Sequence, residues 1–146
     1  MYKKDIFYRM VYHLNRKSIA DCLLKYFFQE ASELCSDMTQ NFEVEVKNYL
    51  FEKILESFNL ADEERCINIC DFFVEGLSSA PNCSRRFLHL ILKNENLIRK
   101  IFSLCFNNLN TSVGKELLKI LTKFTEAILK EIKIKLKESN GIIEGN

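Results

Sequence analysis

Apolar residues recur every three to four positions along most of this chain, the spacing that lines one face of an α-helix. Ile6, Met10 and Leu14, with Phe7 and Val11 beside them, predict an amphipathic helix over residues 3–14 that stops near Asn15. Ser18 then opens Ser-Ile-Ala-Asp, an N-cap residue with an acid three positions on, and Ile19, Cys22, Leu23, Tyr26 and Phe27 follow at helical spacing over 18–35. Cys22 falls with Leu23 and Phe27 and reads as a packing residue. The polar stretch CSDMTQN at 35–41 predicts a loop. After it, residues 42–58 carry Val46, Leu50 or Tyr49, Ile54 and Phe58. Their opening Val-Glu-Val alternates as a strand would, but the length of the run favours helix.

Asn59 ends that helix, and ADEERCINICDFFVEG opens the next with acids at 62, 63 and 64, where free amides and the helix dipole favour negative charge. Its expected buried stripe is Cys66, Ile69, Cys70, Phe73 and Leu77, with Gly76 near the C-terminal cap. LSSAPNCS at 77–84 holds the only proline and is the clearest break, a turn and a candidate border between two helical units. Beyond it Ser84 can cap a short helix with Phe87, Leu90 and Ile91, and residues 94–107 bury Leu97, Ile98, Ile101, Phe102 and Cys105. Thr111 or Ser112 caps the last and longest helix, to 137, whose apolar side is Val113, Leu117, Leu121, Phe124, Ile128, Ile132 and Leu136.

The expected fold is therefore all-α, about seven helices on short loops. Three antiparallel pairs suggest themselves: 3–14 with 18–35, 42–58 with 62–76, and 94–107 with 112–137. Stacked, such pairs form an α-α superhelix of armadillo or HEAT type, and the alternative is a compact helical bundle. Either way residues 1–138 form one domain and 139–146 a flexible tail.

Composition narrows the function. One proline and four glycines are too few turn formers for a hairpin-rich β fold. A net charge of +1 supplies no field to draw in a polyanion, which argues against nucleic acid as the specific partner. No stretch approaches the ~18 uncharged apolar residues of a membrane span, and MYKKDIFYRMVYHLNRK lacks the apolar region of a secretory signal, so a cytoplasmic, reducing location is expected. Six cysteines at 22, 35, 66, 70, 83 and 105 include no Cys-x-x-Cys pair and read as small core residues.

Candidate chemistry is sparse. Only His13 and His89 can act as bases near neutral pH, and no spacing aims either at a thiol; a thiol hydrolase would have to use Cys66 or Cys83 with His89. Cys66 and Cys70 share a helix face, but zinc wants a second pair of ligands. Thr-Ser-Val-Gly-Lys-Glu at 111–116 lacks the first glycine and the final hydroxyl of a phosphate loop. No catalytic residue, metal or cofactor is expected. The last helix carries Lys115, Lys119, Lys123, Lys130, Lys133, Lys135 and Lys137, which could meet an acidic partner, although Glu116, Glu126 and Glu131 interrupt them as on a solvated face.

The order of segments resembles the SAPS-domain family. KKDIFYRMVYHLNRKSIADCLLKYFF matches that family's helix ending in His and a small turn, followed by Ser or Thr, an apolar pair, Asp and a leucine run, here Lys3, Lys4, Phe7, His13, Ser18, Ile19, Asp21, Leu23 and Leu24. ADEERCINICDFF is similar to its acidic, Arg-containing helix start, here Glu63, Glu64, Arg65 and Asn68, and LKNENLIRKIFSLCFNN to its following Glu-rich turn and apolar helix. The resemblance covers roughly residues 3–130. It implies a noncatalytic helical-repeat scaffold that binds the catalytic subunit of a type-six serine/threonine protein phosphatase and directs it to substrates. Glu63, Glu64, Arg65 and Asn68 are the candidate partner contacts. The alternative is a bundle resembling viral members of the Bcl-2 family, with a groove for an amphipathic partner helix; Phe73-Val74-Glu75-Gly76 is faintly similar to that family's glycine-containing groove motif.

Overall fold

A computed structural model of the chain describes residue 6 and residues 9–28 and 37–144. Six helices follow a helical segment at 9–12, and no strand occurs among the described residues: α1 (Lys17–Phe28), α2 (Asp37–Glu56), α3 (Glu63–Ser78), α4 (Pro81–Leu92), α5 (Glu95–Asn107) and α6 (Ser112–Glu144). The fold is all-α, as the periodicity predicts. No described helix is long and apolar enough to cross a membrane.

Local chemistry explains most of the boundaries. The Asp62 carboxylate caps α3 by accepting from the Arg65 amide, and Asn94 caps α5 by accepting from the Leu97 amide. At the start of α6 the Thr111 hydroxyl donates to the Asn108 carbonyl at 2.7 Å and accepts from the Gly114 amide at 3.0 Å. A Cβ at position 114 would lie 1.7 Å from that same carbonyl oxygen, so glycine is required there to let the loop cross the helix.

Several expectations are corrected. The loop over 37–41 is helical, because nothing between Asp37 and Phe58 is a proline or glycine; Cys35, Ser36 and residues 29–34 of the expected second helix lie outside the described residues. Pro81, not Ser84, opens α4, its missing N–H harmless at the first helical position. The stripe of α1 runs through Ala20, Leu23, Leu24 and Phe27, which turns Cys22 outward. In α6 Ile132 and Leu136 are exposed, because the helix outruns the elements that cover its first half. It also continues past 137 to Glu144, over Glu-Ser-Asn-Gly-Ile-Ile-Glu, so residues 139–144 of the expected tail are helical.

The consecutive helices α3, α4, α5 and α6 each pack on the next, and α6 returns along α3, the most extensive pairing in the fold. Of the expected pairs, α5 with α6 forms; the α2 backbone instead runs closest to α4 and α5. Short α4 is the hub, contacting α1, α2, α3, α5 and α6. Its Phe87 joins Phe27, Phe51, Phe72 and Phe73 in a set of mutually packed rings, with Phe27 and Phe51 centroids 4.5 Å apart and Phe51 stacked on Phe73 at 5.7 Å. Four helices thus meet in one aromatic cluster. Residues before and after 77–84 belong to the same core, so the break at Ser79–Ala80 is a bend within it.

Gly76 is not a cap. It lies inside α3 with no left-handed backbone, and a Cβ there would come within 2.5 Å of the Phe87 ring. The absence of a side chain lets the ring rest on the α3 backbone. We predict that Gly76→Ala is destabilising: overpacking costs about 1–3 kcal/mol, more than the ~1 kcal/mol by which alanine favours a helix over glycine. Adding Phe87→Leu to Gly76→Ala should recover part of the loss. Urea midpoints test this, and a Gly76→Ala chain more stable than the parent would overturn it.

Candidate functional site

The first turn of α3 gathers the residues singled out in the sequence. Asp62 holds Arg65 twice, through the Arg65 amide at 3.1 Å and through Nε at 3.3 Å. So fixed, the guanidinium donates from Nη1 to the Val11 carbonyl at 2.9 Å and from Nη2 to the Tyr12 carbonyl at 2.6 Å. One turn further on, Asn68 is buried and its Nδ2 donates to the Leu14 carbonyl at 2.8 Å. These carbonyls close the N-terminal helical segment, where backbone acceptors lose their helical partners. Arg65 and Asn68 therefore face inward and stitch that segment to α3.

Glu63 and Glu64 face outward. Glu63 accepts from the Ser112 hydroxyl at 3.2 Å, which ties the starts of α3 and α6 together. Glu64 and Ile67 line a shallow surface cavity of about 260 Å³ with Asn15, Lys17 and Asn68. Lys17 then bonds Glu75 at 2.9 Å and lies 3.6 Å from both Asp71 and Asp21. Burial pulls the Lys17 pKa down, but the bond to Glu75 and the fields of Glu75, Asp71 and Asp21 outweigh it and hold the ammonium above its usual value. The result is an acidic edge along α1 and α3 with one lysine at its centre. Such an edge can attract a basic surface.

Sequence reasoning missed Lys17, Asp71 and Glu75. The available signal was spacing: Lys17 with Asp21, and Asp71 with Glu75, each lie four apart on an outward helix face.

Cys66 and His89 each bond elsewhere. Cys66 is buried and its Sγ donates to the Asn59 carbonyl at 3.1 Å. Burial pushes the Cys66, Cys70 and Cys105 thiols up, away from the thiolate a nucleophile needs. His89 Nε2 lies 3.4 Å from Glu131, which also takes a two-pronged ion pair from Arg85 at 2.9 Å on each oxygen. His13 is exposed in the turn before α1. Among the described residues no group of three His, Cys, Asp or Glu side chains could hold a metal ion. In the segment similar to a groove motif, Phe73 is fully buried and Gly76 is covered by Phe87, whereas Glu75 faces outward to Lys17.

No protein-family model matches the chain, and no curated protein or solved structure matches it.

Two predictions follow from these contacts. Asn68→Ala strands the buried Leu14 carbonyl, which should cost about 1–3 kcal/mol in denaturant unfolding; an unchanged urea midpoint would exclude the stitch. Arg85, and then His89, hold the Glu131 carboxyl below the usual carboxylate range. A group depressed in the folded state stabilises it fully above its unfolded pKa and stops doing so as pH falls through the folded value. Glu131→Gln should therefore lower the melting temperature at pH 7, and the gap from the parent should close as pH drops below about 4. A gap independent of pH would assign the loss to packing instead.

Proposed function

We propose that this chain is a noncatalytic regulatory scaffold of SAPS type, which binds a serine/threonine protein phosphatase catalytic subunit and directs it to substrates. The reading starts from the matching segments at residues 3–28, 61–73 and 92–108. One observation carries it further: the second segment binds the first where its opening helical segment ends, through its own motif residues, Arg65 to the Val11 and Tyr12 carbonyls and Asn68 to Leu14. Residues that make the resemblance thus act as a joint between helices, the role expected of a repeat motif. Within that motif, Arg65 and Asn68 serve the fold, and Glu63 and Glu64 are left as the outward contacts.

The partner would meet an acidic edge, which favours a basic patch on the catalytic subunit. Mixing the purified chain with a recombinant type-six phosphatase catalytic subunit should yield a one-to-one complex by sedimentation. The double charge reversal Glu63→Lys with Glu64→Lys should weaken it about tenfold, about 1.4 kcal/mol, without shifting the melting temperature by more than a few degrees. Absence of any complex at micromolar concentrations would overturn the proposal.

A further inference from the structure

The last helix, α6, carries a second pattern on the side away from the core. Leu118, Thr122, Thr125, Leu129, Ile132, Leu136 and Ser139 alternate in steps of four and three, the a/d spacing of a coiled-coil seam, and all of them are exposed. Leu129, Ile132 and Leu136 are 53%, 48% and 57% exposed, too much for residues that pack within the domain. Leu118, at 50%, extends the stripe toward the start of the helix. Both threonine hydroxyls turn back to their own helix, Thr122 to the Leu118 carbonyl at 3.0 Å and Thr125 to the Leu121 carbonyl at 2.9 Å. Their polar atoms are therefore satisfied inside the helix, and what remains to meet a neighbour is largely methyl.

The charges beside the seam select what can cover it. At the positions that flank a and d lie Lys119, Lys133 and Lys135 against one acid, Glu126. Glu131 is turned to Arg85 on α4, and although Glu116 bonds Lys119 at 3.0 Å and Glu138 lies 3.8 Å from Lys135, residues 115–138 still hold seven lysines against four glutamates. A second copy of the chain laid seam to seam would double the lysine excess, and like charges at these positions oppose pairing. A lipid surface is a poor fit to a stripe one side chain wide that includes Thr122, Thr125 and Ser139. An amphipathic helix with apolar a/d residues and acidic flanks satisfies both the spacing and the sign.

We infer that the outer face of α6 is a docking seam for an acidic amphipathic helix of another protein. This surface is separate from the acidic edge at α1 and α3 and does not depend on the phosphatase reading. A scaffold with one acidic and one basic face can hold two unlike partners at once.

The test uses the full chain and a synthetic peptide of about four heptads with Leu at a and d and Glu at e and g. Mutual repulsion keeps such a peptide from pairing with itself. Fluorescence anisotropy should give micromolar binding, with no binding of the same peptide carrying Lys in place of Glu. Ile132→Glu should weaken binding by at least about tenfold, with an unchanged circular-dichroism spectrum because the residue is exposed. Lys133→Glu with Lys135→Glu should reverse the preference toward the Lys peptide, a readout that loss of fold cannot produce. Four results would overturn the inference: no binding of the Glu peptide, equal binding of both peptides, binding to phosphatidylserine vesicles in place of the peptide, or a dimer of the chain alone that Ile132→Glu converts to monomer.

Discussion

The ring of Phe87 occupies the space that a side chain at position 76 would fill, and the rest of the core is arranged around that approach. Because α4 can press against bare backbone on α3, its other sides remain open to α1, α2, α5 and α6. Phe27, Phe51, Phe72 and Phe73 then close on the same ring from three helices. Edge-to-face contacts between such rings are directional as well as apolar, so they fix the angles at which the helices meet. Moving α4 outward by the width of one methyl group would loosen every one of these contacts together, since interiors are packed too densely to redistribute the gap.

Helix type and order were legible in the sequence because amphipathic spacing is a local property. The stripe Cys66, Ile69, Cys70, Phe73 and Leu77 is buried as its spacing requires, and Asp62, Asn94 and Thr111 cap as their residue types suggest. Cys22, Phe102, Ile132 and Leu136 were misread for a common reason: each lies at helical spacing from true core residues, but burial depends on whether another element covers that position. Gly76 carried a similar ambiguity. A glycine near a helix end reads equally as a cap or as a close approach, and only the location of Phe87 decides between them.

The candidate site divides along the same line. That the start of α3 is special was visible from its acids, arginine and asparagine. Which of them face a partner was not, because Arg65 and Asn68 are committed to carbonyls more than fifty residues earlier in the chain. Such contacts leave no trace in spacing. The acidic edge around Lys17 joins α1 to α3 and is likewise a product of assembly, whereas the lysines of α6 share one helix and were visible in the sequence; a net charge of +1 conceals two surfaces of opposite sign. Opposed patches of this kind give a protein orientation in an encounter even when its overall charge is nearly zero.

The register of α6 has a geometric consequence. Its 33 residues form one rod about 50 Å long, and the core-facing stripe and the outer seam are two sets of positions on the same backbone. Their angular separation is set by helix pitch alone. A single residue inserted after Ala127 would leave the anchored half of the rod in place yet turn everything beyond by about 100° and advance it by about 1.5 Å. The direction in which the seam faces is thus a phase, counted in residues from the core, and chain length in that one helix governs it independently of any contact the seam makes.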